Sequence, residues 1–71
     1  MELTNAEKTA RLDALIKECA MGIFELATRA RAVKTVDPKD TRLQGLEDGI
    51  AKLQQMSDLY EKDVKDLNAS T

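Results

Sequence analysis

The chain has 71 residues, 42% of them apolar and 34% charged, with a net charge of −2. So short a chain buries only about 60% of its unfolded surface, so its own core is marginal. One Cys and no His rule out an internal disulfide and argue against a structural zinc, while two aromatics, three Gly and one Pro argue against a sheet; the expected class is all-α.

The first predicted helix starts after Thr4, whose spacing to Glu7 is that of a capping box. Leu12, Ile16, Cys19, Ile23, Leu26, Ala30 and Val33 then recur at alternating steps of four and three, which is a heptad seam. The helix should cover about residues 5–34, with Arg29, Arg31 and Lys34 in its last turns, opposite the negative end of the dipole. Gly22 interrupts it at a cost of about 1 kcal/mol relative to Ala. Either a second helix approaches closely there, or a groove exposes backbone to a ligand or partner.

The segment TVDPKD comes next. Asp37 reads as an N-cap, Pro38 as the first helical residue and Asp40 as an acid in the first turn. A second helix over about 38–67 follows, with a seam of Leu43, Leu46, Ile50, Leu53, Ser57, Tyr60, Val64 and Leu67; Ser57 is its polar exception. DLNAST ends the chain, and residues 68–71 are expected to fray. The connection is short enough to force the helices antiparallel, making residues 1–71 one hairpin domain. A turn centred near Val36 makes facing residue numbers add to about 72, pairing Ile23 with Gly49, Leu26 with Leu46, Cys19 with Leu53 and Leu12 with Tyr60, and gathering the glycines at one level.

The seams leave apolar residues over. Leu15, Ala20, Met21, Phe24 and Ala27 lie beside or behind the first seam, and Met56 and Leu59 flank the second. So wide a stripe suits a helix with neighbours on two sides. A homo-oligomer is therefore expected, as a two-fold four-helix bundle or a larger helical assembly, with Leu15, Ala20, Phe24, Ala27, Met56 and Leu59 at the interface. Phe24 is either an inter-chain core residue or a platform on which a base or aromatic ligand stacks.

Catalytic equipment is missing. There is no His, Cys19 and Ser57 sit on seams without an activating base, and no Gly-rich loop follows a strand, so neither an enzyme nor a cofactor is expected. The acids Glu47 and Asp48, and Asp58, Glu61, Asp63 and Asp66, read as solvated helix faces, and no metal is expected. No apolar run spans a membrane and MELTNAEKTA is unlike a signal peptide, so a cytoplasmic location without membrane contact is expected. The charge is uneven. Residues 29–42 hold five cations against two carboxylates, a balance of +3, which leaves −5 for the remainder. Arg29, Arg31, Lys34, Lys39 and Arg42 form a basic end where helix amides and cationic side chains could hold an anion such as a nucleotide or RNA phosphate.

In layout the chain resembles the Rop family of plasmid repressors, antiparallel hairpins that dimerise into four-helix bundles and bind paired RNA loops, with EKTA at 7–10 as the sequence likeness. It also resembles the small helical sponge proteins with which phages sequester cyclic oligonucleotide immune signals. That likeness rests on ELT at 2–4 before a helix, DP at 37–38 and DGIAKL at 48–53. The second resemblance implies an inhibitor that traps an anionic nucleotide and the first an RNA-binding regulator; a protein adaptor using the heptad surfaces is the third expectation.

Overall fold

Thr4 starts the chain's first helix through reciprocal hydrogen bonds. Its hydroxyl accepts from the Glu7 amide and the Glu7 carboxylate accepts from the Thr4 amide, each at 3.1 Å, so two otherwise orphaned donors are satisfied by a capping box. The computed structural model describes residues 2–69 and contains, among them, two helices, α1 (Asn5–Val36) and α2 (Arg42–Ala69), and no strand. They are 32 and 28 residues long, which at 1.5 Å per residue makes the longer about 48 Å. The molecule is accordingly a rod of 51 × 17 × 14 Å.

The turn departs from the expected one. Pro38 pushes the residue before it into extended backbone, and Asp37 sits at φ −150° and ψ 97°, which stops α1 at Val36. The second helix does not start at Pro38 as expected. Asp37 instead opens a tight turn, its carboxylate accepting from the Lys39 amide at 3.0 Å and its carbonyl from the Asp40 amide at 3.1 Å. Asp40 takes over the capping role. Its carboxylate accepts from the Arg42 amide at 2.9 Å, and its carbonyl from the Leu43 amide at 3.2 Å. Pro38 serves equally well as the second residue of a turn or the first of a helix, because both need the same φ. At its other end α2 runs through Ala69. Residues 70 and 71 of the expected frayed tail lie outside the described residues.

Both seams face inward. Every seam residue from Leu12 to Val33 and from Leu43 to Leu67 is buried or half-buried. The two that are fully covered are Cys19, 4% exposed, and Ser57, 8% exposed. A two-helix interface covers a short side chain from all sides, whereas a Leu or Ile protrudes beyond the seam and keeps an edge in water. No large side chain among the described residues is completely buried.

The register is three residues away from the expected one. A Cβ on Gly22 would lie 2.8 Å from Leu53 Cδ1, and one on Gly49 would lie 3.0 Å from Leu26 Cδ1, so facing numbers add to 75 and not to 72. The start of α2 at Arg42 in place of residue 38 lengthens the connection and leaves room for the shift. Two glycines thus do related work. GIFEL at 22–26 and GIAKL at 49–53 lie antiparallel, and each Leu fills the gap over the other segment's Gly. Gly45 is different, since nothing lies within 4 Å of a Cβ placed there.

Candidate functional site

Grooves run along both long sides of the hairpin. On one side, near the loop, a groove is lined by Arg29, Ala32, Val33, Arg42, Gly45 and Leu46. On the other, Asp13, Ile16, Glu61, Val64 and Lys65 line a second groove. These assignments fix the side on which each off-seam residue falls, because heptad equivalents share a side. Leu15 stands two heptads before Arg29 and Met56 two after Arg42, with Leu59 next to it. Ala20 and Ala27 stand one and two heptads after Asp13, with Phe24 beside them. The six residues expected at one association surface therefore divide into two groups of three on opposite sides of the rod.

Exposure separates the groups less than position does. Phe24 is 67% exposed, Leu59 61% and Met56 42%, while Ala20 is exposed and Leu15 and Ala27 are half-buried. Met21 at 57%, Leu3 at 54% and Val36 at 88% add further apolar surface, and the last two were not singled out in the sequence. Val36 lies one turn past the last seam residue of α1, where periodicity gives no warning.

The five basic residues share one end but not one face. Arg29 and Arg42 line the loop-end groove together. By heptad position Arg31 and Lys34 belong to the opposite side with Ala20 and Ala27, and Lys39 belongs to the turn itself. Arg42 is already engaged. Its guanidinium clasps the Asp40 carboxylate, Nη2 donating to Oδ2 at 2.7 Å and Nε to both oxygens at 3.1 and 3.2 Å. This fork lowers the Asp40 carboxyl to a pKa of about 2, the Arg42 hydrogen bonds being the main cause, and raises that of Arg42. A cation in the first turn of α2, where the dipole disfavours positive charge, is thus paired with the acid that caps the helix.

The same geometry fills the amides expected to be free for an anion, since those of Lys39, Asp40, Arg42 and Leu43 all donate within the turn. What the loop end offers is side-chain charge. Arg42 keeps 74% of its side chain exposed despite the ion pair, and Arg29 is exposed without an ion pair among the described residues. At the far end of the same side, Lys8 and Arg11 share a groove with Asp63 and Asp66, so cations there face acids. The loop-end groove has no acidic lining residue.

Among the described residues no three His, Cys, Asp or Glu side chains come together as a metal site, and no helix is long and apolar enough to cross a membrane. No family model matches the chain, and no curated protein or solved structure matches it either.

Proposed function

We propose that the chain is a non-enzymatic binding protein, a self-associating helical hairpin that sequesters an anionic ligand of the nucleotide class in the groove at its loop end. The observation that carries this reading is the union of Arg29, Arg42 and an uncrowded Gly45 in one groove. A glycine inside a helix is destabilising by roughly 0.5–1 kcal/mol. Packing within the hairpin accounts for Gly22 and Gly49 and leaves Gly45 unexplained. Bare backbone there, with Ala32, Val33 and Leu46 as an apolar floor and two guanidinium groups at the rim, suits a ligand with a flat apolar part and a phosphate.

Thermal melts with cyclic dinucleotides and a cyclic triadenylate test the reading, because a ligand that binds only the folded state raises the midpoint. At least one should do so, and Arg29→Glu and Gly45→Leu should each remove the effect while Lys62→Glu with Lys65→Glu preserves it. No response to any nucleotide at millimolar concentration would overturn it. A response to a paired RNA stem-loop alone, falling steeply with salt, would replace it with the RNA-binding alternative.

A further inference from the structure

The side of the rod bearing Phe24 is apolar on one helix only. There α2 presents Glu47, Gln54 and Glu61, whereas α1 presents Ala20 and Ala27 with Phe24 beside them. The hollow around Phe24 is lined by Lys17, Ala20, Met21, Phe24 and Glu25, all from α1. No part of the described hairpin reaches across to cover it. A bulky ring between two alanines is a ridge next to a gap, the shape that a second helix interlocks with.

We infer that this stripe is covered by α1 of a second copy, antiparallel to the first and related to it by a two-fold axis level with Gly22. The assignment rests on the self-association proposed above and names the face that carries it. Size supports it: under this symmetry each Phe24 stands level with Ala20 of the partner subunit, large against small, twice over. Charge supports it independently. The same operation sets Asp13 level with Arg31 of the partner subunit, again twice, and among the described residues neither has an ion pair in its own chain. A parallel pairing would oppose Asp13 to Asp13 and Arg31 to Arg31, and would crowd the two basic loop ends together. Antiparallel packing holds those ends apart and leaves the groove of Arg29 and Arg42 on the uncovered side.

Charge exchange provides the test. Asp13 and Arg31 are eighteen residues apart in one straight helix, about 27 Å, so they cannot compensate each other within a molecule. Sedimentation equilibrium of the full chain should find the parent associated at micromolar concentration. Asp13→Arg and Arg31→Asp should each weaken association about tenfold, and the two together should restore it to within about threefold of the parent. Phe24→Glu should dissociate the assembly while circular dichroism shows the helices intact. A monomeric parent would overturn both this interface and the self-association beneath it. An associated parent whose double variant is no better than the worse single, or whose Phe24→Glu variant stays associated, would overturn the interface alone.

Discussion

Leu53 reaches across the hairpin to within 2.8 Å of the point that a Cβ on Gly22 would occupy. Leu26 does the same over Gly49 at 3.0 Å, so a pair of Gly and Leu residues four apart on each helix meshes with its counterpart running the other way. This contact sets the register of the whole rod, since a slip of either helix would drive a Leu into a turn with a Cβ or leave a glycine gap unfilled.

Gly45 and Gly22 should therefore respond differently to substitution. Gly45→Ala adds helix propensity without meeting any atom and should stabilise the hairpin by roughly 0.5–1 kcal/mol. Gly22→Ala gains a similar propensity but forces the Leu53 methyl aside, and should come out close to neutral. Gly22→Leu overfills the crossing and should cost about 1–3 kcal/mol. Urea unfolding at one fixed protein concentration measures all three; a stabilised Gly22→Leu would show that the register contact is loose.

The Asp40–Arg42 fork predicts an acid limb of stability. The Asp40 carboxyl titrates at about 2 in the folded chain, below the ordinary value of about 3.9 that applies when the chain is unfolded. A depressed folded pKa means that its contribution is complete above about pH 4 and is lost as the pH falls toward 2. Carboxyl carbon shifts followed by NMR should give a midpoint near 2 for Asp40, and Arg42→Ala should move that midpoint up toward the ordinary value. An unchanged midpoint would mean that the fork is absent in solution.

The N-terminal capping box should be a separable increment. Thr4→Ala leaves the Glu7 amide of α1 without its partner and should destabilise the chain by about 1 kcal/mol. The same substitution should raise the Glu7 carboxyl part of the way toward its ordinary value, because it removes the Thr4 hydroxyl but keeps the backbone amide that does most to hold it down. Amide exchange confined to the first turn of α1 would record the fraying.

Phe24→Ala should weaken self-association more than Leu59→Ala. The two are comparably exposed in one hairpin, at 67% and 61%, but Phe24 carries more area and sits on the stripe with complementary charges. Sedimentation of both variants beside the parent decides the matter; a larger loss from Leu59→Ala would move the contact to the side of Leu15 and Met56.

Much of the rod was legible in the residues themselves. The two seams, the antiparallel pair of helices and the Thr4 cap follow from periodicity and from contacts that reach three or four residues, and each was found where the spacing placed it. Heptad position also indicated that Phe24, Met56 and Leu59 would lie outside the seam. The start of α2 was not legible, because DP and DT each offer a carboxylate able to cap a helix and local chemistry satisfies both. In the folded chain the repeat of GIFEL and GIAKL marks the register, each Gly lying against the other segment's Leu.

Sequence alone determined which residues line the seam, since burial along a helix repeats every 3.5 residues whatever the partner does. Packing of one helix on the other settles which glycines are crowded and that Arg29 and Arg42 share a groove. Those facts depend on how far one helix slides along the other. Sliding is set by a few side chains meshing across the interface, here Leu26 on Gly49 and Leu53 on Gly22, and not by the propensities of either helix.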